Sequence, residues 1–574
     1  MRCYTTTPAG GPLSRANAVE RFAQSAVVLA GLRCAILARN LHIGPDGLSY
    51  LELARAYLRH DWSTAVNGYW GPLYAWLVAS VLSIVRPTAS QELASVRGLN
   101  FLIFLFCLYA FARFWRIVAD HSRKAQDSGS VLADAYPTGW VVTGYLLFAT
   151  TVPWFIEEVG PDVLVAGMVL LIAGYALELA DGKRQSIACY AVFGSLLAVA
   201  FYTKAILLYF GIFTLLALAA RAFRAGNYRG PLTAALLYML VISPYVAALS
   251  RTLGYFSVGE SGRLNYAWYV NGIETGDSAE GNAPFPFFPG PVILKSPRVF
   301  RLPYLPGITY APWYDAARFD KHSRASFTIR GEIRQLATNL RSLKQDVVDL
   351  DGAFLVCLIV LISLAPRDFL RRFSNAALCI VPAVMIIGMY LLVHLVGRFV
   401  FGFSLVLWGV CFSCCRLPSR SPSPLPSDDR LVARRMLLAG ILVFAAQALP
   451  GLLHYLASPS QNLIDRDAQI AGALPNYGVF PGDFVGIIGQ GQGALWAHWA
   501  RVSLTAELPS PDSASFWTGS HEVRQTVLDA MKQAGAKAVV WRRDSDHPCP
   551  PEWIELPKAS GCMISLSSSH PGSG

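Results

Sequence analysis

Gly44-Pro45-Asp46-Gly47-Leu48-Ser49-Tyr50 sets one carboxylate on a Pro/Gly turn directly after the first apolar run of the chain. The plain reading of Pro-Asp-Gly is a turn, because proline fixes φ and glycine relieves the bend. The chemical reading is a carboxylate held at the end of an apolar segment, costly to bury and cheap to leave in water. The stretch that follows, 48–60, reads as a surface helix carrying Glu52, Arg55, Arg59 and His60, and leads into Tyr69-Trp70-Gly71-Pro72-Leu73-Tyr74.

The surroundings make that turn a membrane boundary. Of the 574 residues, 54% are hydrophobic and 15% charged, and the mean hydropathy is +0.40. Soluble domains carry roughly 25% charged residues. Here the charges collect between apolar runs long enough to cross a bilayer. The sequence predicts a mainly α, polytopic helical bundle of about eleven spans, near 22–41, 94–117, 137–156, 161–180, 186–202, 205–221, 231–250, 352–365, 374–396, 398–415 and 436–455. Arg33 interrupts the first run, so that run is expected to stay as a span rather than leave as a signal peptide.

Basic residues fix the expected orientation. Arg113, Arg116, Arg123 and Lys124, then Lys183 and Arg184, then Arg221, Arg224 and Arg229, then Arg367, Arg371 and Arg372, then Arg416, Arg420, Arg430, Arg434 and Arg435 all fall at span ends or between spans. Placed on the cytoplasmic side, they put Asp46, Glu157, Glu158, Asp162, Lys204 and Arg398 outside, with the loop 251–350 and the tail from 456. The alternation closes only if 69–86, short and rich in Trp and Tyr, lies along the surface. The net charge of +11 is accounted for by these loops, and no basic, aromatic-interleaved soluble region speaks for nucleic acid.

Four parts follow: a core 1–250 whose first outer loop is 42–93, an aromatic and Pro-rich outer cap 251–350, further spans over 351–455, and an outer α/β domain 456–574. In the tail, Phe484-Val485-Gly486-Ile487-Ile488, Val502-Ser503-Leu504-Thr505-Ala506 and Ala538-Val539-Val540-Trp541 read as strands separated by helices, which predicts a parallel sheet. Gly489-Gln490-Gly491-Gln492-Gly493 follows the first strand, and Glu507 closes the second, as in a dinucleotide loop, but the glycine spacing is wrong for that use and tight turns are the simpler reading. Pro418 to Pro424 is a Ser/Pro linker. Cys107, Cys189, Cys357 and Cys379 read as small buried hydrophobes. Cys414-Cys415 has no second pair at zinc spacing. Cys549 and Cys562 are the only outer cysteines, free to pair in an oxidising compartment.

The candidate site residues share the outer side. Asp46 has the chemistry of a general base, able to take the proton of a hydroxyl as it attacks. Glu157, Glu158 and Asp162 form a second acidic group, which either orients a substrate, tunes Asp46, holds a divalent metal through oxygen ligands, or merely marks a loop. Gly160-Pro161 keeps Glu158 and Asp162 off one shared helix. Lys204 and Arg398, with Arg97 as a third candidate, suit a phosphate at the outer surface; snorkelling is the alternative for each. Tyr50, Tyr74, Tyr266 and Trp313 offer flat faces of the kind that meet sugars.

Pro45-Asp46-Gly47-Leu48-Ser49-Tyr50-Leu51-Glu52-Leu53-Ala54, Tyr69-Trp70-Gly71-Pro72-Leu73-Tyr74-Ala75-Trp76-Leu77, Gly160-Pro161-Asp162-Val163-Leu164 and Ala200-Phe201-Tyr202-Thr203-Lys204 together resemble the GT-C superfamily of membrane glycosyltransferases. The likeness is to family 39-like bacterial proteins similar to protein O-mannosyltransferases and lipid A aminoarabinose transferases, in an uncharacterised subgroup. It covers about 20–250 and weaker matter around Arg398. It implies a bacterial inner membrane protein with a periplasmic active site, an inverting transfer from a polyprenyl-phosphate sugar to a lipid, glycan or protein acceptor, and Asp46 as base. Two departures stand out: Gly71-Pro72 where the family often has Pro-Pro, and Arg398-Phe399 where Arg-Tyr is common. A transporter or flippase for a lipid-linked or polar solute would use the same charges for binding alone. Against it, the chain has no internal repeat and its charges gather at span ends rather than the midplane.

Overall fold

The computed structural model describes residues 12–39, 43–123, 130–184, 186–224, 226–272, 291–316, 325–344, 352–364, 366–417, 427–459, 465–543 and 548–566. The Ser/Pro linker anticipated at 418–424 lies outside them. The chain is mostly helical, with a sheet assembled largely from its C-terminal region.

Six described helices are long and apolar enough to cross a membrane: those within Arg15–Ala38, Ala89–Arg123, Asp162–Ala180, Arg229–Leu253, Gly397–Cys414 and Arg434–Ala457. Ile187–Thr203 and Ala377–Val393 are apolar but shorter. Pro72–Val85 has 14 residues, which rise about 21 Å against a hydrocarbon core of about 30 Å. The helix expected over 94–117 runs instead from Ala89 to Arg123, well beyond a bilayer's core at both ends. The one expected over 137–156 stops at Thr151. Pro153 cannot extend an α-helix regularly, and the chain tightens into a 3₁₀ turn over Pro153–Ile156 before reaching the acidic pair Glu157 and Glu158.

Proline and glycine decide where the helices of the first outer loop begin. Pro45 opens Pro45–Leu58 behind an extended Gly44, and Pro72 opens Pro72–Val85 behind an extended Gly71. Proline suits the first helical position because its missing N–H would have had no intrahelical partner. Asp46 therefore sits in a first turn, where the helix dipole favours a negative charge.

The sheet has seven strands in the order Val292–Lys295, Arg298–Arg301, Ser503–Leu508, Phe484–Ile488, Ala538–Arg542, Gly561–Ser565, Ile554–Glu555. The central three are parallel. The pairings outside them are antiparallel. The expected parallel sheet is thus the middle of a mixed one. The hairpin 292–301, from the long segment 251–350, supplies one edge, so that hairpin and the tail's strands form one sheet unit. The central strands face two cores: Val485, Ile487 and Leu504 pack with Trp496, and Ile488, Ala506 and Val539 pack with Phe516 and Met531, a bulge at Thr505 turning Leu504 and Ala506 to opposite faces. Cys549 and Cys562 are disulfide-bonded, tying the last long strand to the preceding loop.

This unit is bolted to the first outer loop through buried charge. The Arg55 guanidinium donates to Glu92 at 2.9 Å and to the His498 carbonyl at 2.9 Å. The Trp499 indole donates to Glu92 at 2.8 Å. Glu52 accepts the Thr309 backbone N–H at 2.7 Å. Nearby, the Trp70 indole and the Asn67 amide both donate to the Tyr314 carbonyl at 2.9 Å. The aromatic residues of 302–316 thus brace the helix that carries Asp46.

The glycine loop is held by Glu507, which is buried and accepts the Gly491 N–H at 3.0 Å and the Tyr310 hydroxyl at 2.8 Å. No face of this carboxyl is left for a ribose. Burial pushes its pKa from an ordinary 4.5 up to about 7, the two hydrogen bonds opposing. A carboxyl with a raised folded pKa favours folding fully below its unfolded pKa and loses that contribution as pH rises through the folded one. The loss amounts to roughly 3 kcal/mol across that window. Melting temperatures of wild type measured between pH 5 and 8 should fall relative to Glu507→Gln as pH rises. Parallel profiles for the two proteins would contradict this account of Glu507.

Candidate active site

A cavity of about 480 Å³ opens where five helices end or begin together. Asp46 comes from the start of Pro45–Leu58, Asp162 from the start of Asp162–Ala180, Lys204 from just beyond Ile187–Thr203, His394 from just beyond Ala377–Val393, and Arg398 from the start of Gly397–Cys414. Residues 352 apart in sequence meet at hydrogen-bond distance: Arg398 Nη2 lies 2.9 Å from Asp46 Oδ2. The same guanidinium reaches Glu158 through Nη1 at 3.5 Å and Asp162 through Nε at 3.8 Å. Lys204 Nζ donates to the other Asp162 oxygen at 2.9 Å. Three carboxylates and two cations are joined, and the cluster is net anionic when all are ionised.

The cations share an aromatic platform. Lys204 Nζ stands 3.8 Å from the centre of the Phe399 ring, and the Arg398 guanidinium carbon 5.3 Å from it. Phe399 in turn stacks on Tyr390 at 5.5 Å. A ring face attracts a cation, so the Phe that departs from the family's Arg-Tyr pattern supports both positive groups without a hydroxyl. His394 lies face to face with Tyr269 at 3.8 Å. Burial first, and the Arg398 charge second, bring its pKa down to about 4, so it is a neutral imidazole at pH 7.

Asp46 is one-third exposed toward the cavity. Burial pushes its pKa up, with the Arg398 charge opposing and Asp162 reinforcing. Glu158 is likewise pushed up, chiefly by burial. Sharing the guanidinium offsets part of the desolvation cost of each carboxylate.

The aromatic wall is set by Asn67. Its amide oxygen accepts the backbone N–H groups of Tyr69 at 2.7 Å and Trp70 at 2.9 Å. Tyr50 packs between Trp70 at 5.3 Å and Tyr74 at 5.0 Å. The Tyr69 hydroxyl donates to Asn265 at 3.2 Å. Asn67, Asn265 and His394 carry no motif, and only their placement marks them.

Among the anticipated residues, Asp46, Tyr50, Asp162, Lys204 and Arg398 line the cavity, and Glu158 joins through Arg398. The others are placed around it. Arg97 is buried, its Nε donating to the Ala38 carbonyl at 3.4 Å. Tyr74 donates to Asn100 at 2.7 Å, and Asn100 donates to the Glu158 carbonyl at 2.7 Å, so Tyr74 steadies the acidic loop from behind. Glu157 accepts from the Tyr455 hydroxyl at 2.9 Å. Tyr266 donates to Glu332 at 2.7 Å. Trp313 packs among the aromatic residues beneath the tail. Among the described residues no three His, Cys, Asp or Glu side chains are grouped to hold a metal ion. The three site carboxylates each reach the Arg398 guanidinium.

No family model matches the chain, and no curated protein does. Solved structures do. ArnT of Cupriavidus metallidurans, bound to undecaprenyl phosphate, is 12% identical over 96% of this chain and 98% of that one, with a TM-score of 0.50. The oligosaccharyltransferase of Archaeoglobus fulgidus, solved with zinc and sulfate, is 14% identical over 91% of this chain and 68% of that one, with a TM-score of 0.46. AglB from the same organism, with an inhibitory peptide and a dolichol phosphate, is 11% identical over 91% and 69%, with a TM-score of 0.47. The likeness to ArnT shows that the two chains share a fold across nearly their whole length.

Gly71 explains the other departure from the family pattern. A Cβ at this position would lie 2.4 Å from the Thr203 carbonyl oxygen, so a proline ring there is excluded while Thr203 and Lys204 keep their places. Gly71→Ala should lower the melting temperature, at a cost of about 1–3 kcal/mol for the overpacked contact. Gly98→Ala, with nothing within 4 Å, should be neutral or mildly stabilising. Equal melting of both variants and wild type would contradict the close approach.

Proposed function

We propose that the chain is a membrane glycosyltransferase that moves a sugar from a polyprenyl-phosphate donor to an acceptor hydroxyl. The observation that carries the reading is a carboxylate held on one phosphate-competent cation with a second cation in the same cavity: Asp46 on Arg398, with Lys204 on Asp162 beside them. The bound undecaprenyl phosphate of the ArnT neighbour supports the donor class.

In this reading the donor's phosphate competes with the carboxylates for Arg398 and Lys204. Arg398 gives a fork of two N–H donors, and Lys204 a point charge. Once Arg398 turns to phosphate, the Asp46 carboxylate is free to accept the acceptor's hydroxyl proton. The acceptor oxygen bonds to the anomeric carbon, and the bond from that carbon to the phosphate oxygen breaks. The electron pair leaves on polyprenyl phosphate, whose growing charge Arg398 and Lys204 stabilise. One displacement inverts the anomeric centre. Glu158 and Asp162 keep both cations in place before the donor arrives. Tyr50, Tyr69 and Trp70 offer faces to the sugar. No step passes through a metal.

The bundle is assigned about eleven spans, the shorter apolar helices completing the six long ones. Asp46, the cavity and the sheet unit lie on the outer face of the bacterial inner membrane, as the basic loops require. The helix Ile329–Lys344 suits that boundary. It exposes Ile329, Ile333 and Leu340 while burying Gln335 and Asn339, the reverse of a water-facing helix. Arg330, Arg334 and Arg341 border the apolar stripe, as on helices that lie in a lipid interface.

Purified wild type and Asp46→Asn, given a panel of polyprenyl-phosphate sugars with candidate acceptors, test the reaction. Wild type should release polyprenyl phosphate, and Asp46→Asn should lose at least about a hundredfold in rate. Equal release by both would contradict the base role. Solute crossing the vesicle membrane without any release would favour a transporter.

The pH profile adds a second test. Asp46 acts as base only when ionised, and burial raises its pKa. Activity should therefore fall, on acidification, at a pH above the ordinary carboxylate value. A rate that stays flat down to that value would argue against Asp46.

A further inference from the structure

The chain breaks between two apolar helices immediately before Arg398. Ala377–Val393 ends with His394 in an extended conformation, and Gly397–Cys414 begins three residues later. The last carbonyls of a helix have no intrahelical partner, and a buried break needs partners from elsewhere.

Here one side chain supplies them. Asn339, 2% exposed, lies on the buried face of Ile329–Lys344. Its Nδ2 donates to the Leu391 carbonyl at 2.8 Å and to the Tyr390 carbonyl at 3.4 Å. Its Oδ1 accepts the Leu395 N–H at 3.3 Å. Gln335 Nε2 donates to the same oxygen at 3.2 Å, fixing which way the amide points. One amide thus bonds the end of one helix and the first N–H beyond His394. Only Asn and Gln carry both a two-hydrogen donor and an acceptor on one planar group. A buried amide on a helix that exposes apolar side chains is costly unless it has such a task.

What this link carries is the site. His394, Arg398 and Phe399 all lie within a few residues of the clamp and all line the cavity. Tyr390, whose carbonyl the amide holds, also stacks on the Phe399 ring. We propose that Asn339 is a positioning residue for Arg398: by clamping the break at 391–395 it sets where the guanidinium stands among Asp46, Glu158 and Asp162, and so its readiness for a phosphate. The inference rests on reading Arg398 as the phosphate-binding cation.

The test uses the full chain in lipid nanodiscs, with Asn339→Leu, Arg398→Lys and the double variant. Hydrogen exchange is followed in peptides covering 391–399, and undecaprenyl phosphate affinity is measured alongside. Asn339→Leu should speed exchange of the Leu395 amide by about tenfold or more, while peptides from Asp162–Ala180 exchange as in wild type. Its undecaprenyl phosphate Kd should rise about tenfold, the scale of one lost buried hydrogen-bonding group. Added to Arg398→Lys, it should cost little further, because both changes act through one guanidinium. Unchanged exchange at 391–399 would overturn the clamp. Losses that add fully in the double variant would overturn the route through Arg398. If wild type itself fails to bind undecaprenyl phosphate, the donor reading fails, and the exchange result alone decides whether Asn339 holds the break. Should Asn339→Leu not fold, Asn339→Asp serves, since it keeps an acceptor for Leu395 and gives up the donor to the two carbonyls.

Discussion

One guanidinium organises the outer end of this bundle. Arg398 is shared by Asp46, Glu158 and Asp162, which arrive from three separate parts of the chain. Without it, three carboxylates would crowd together in a partly dry cavity, and like charges at that spacing cannot all stay ionised. With it, and with Lys204 on Asp162, the group persists at a desolvation cost that apolar packing of similar volume would avoid. Arrangements of that kind are retained for what they do. In the proposed reaction they keep cations ready for an anionic group while holding a carboxylate beside it.

Much of the surrounding fold exists to keep the two sides of that contact in register. Asp46 is fixed by its helix, and that helix by Glu52, Arg55 and the aromatic segment 302–316, all leaning on the sheet unit. Arg398 is fixed from the other side, through the break before it. The sheet unit therefore bears on the site without lining it. Glu92, buried at the start of Ala89–Arg123 and tied both to Arg55 and to Trp499 of the sheet unit, is the junction through which that support passes.

The fold was legible where physics is local. Apolar run length marked the bundle, and short apolar strands separated by helices marked the sheet's parallel centre; Pro45, read as part of a turn, opens the helix itself. Helix ends were less legible: Thr151 yields to Pro153, and Ala89–Arg123 runs past both ends of its apolar stretch because charged residues tolerate helix in water. The hairpin 292–301 gave no sign of its partner strand, since pairing across two hundred residues leaves no trace in a window. At the candidate site, a carboxylate on a turn after an apolar run marked Asp46, an acidic group between spans marked Asp162, and charges within apolar runs marked Lys204 and Arg398, which the fold brings to one cavity. Glu92, His498, Asn67 and Asn339 went unremarked because buried polar residues look ordinary until their partners are known. Tyr74 and Tyr266 looked like sugar platforms, but their hydroxyls are engaged with Asn100 and Glu332.

The most direct test is an experimental structure of the full chain in nanodiscs with undecaprenyl phosphate. The account predicts phosphate oxygens within hydrogen-bond distance of Arg398 and Lys204, on the Phe399 side of the cavity, with the Asp46 carboxylate released from Arg398 and facing open space. A phosphate bound elsewhere, with Arg398 still closed on Asp46, would contradict it.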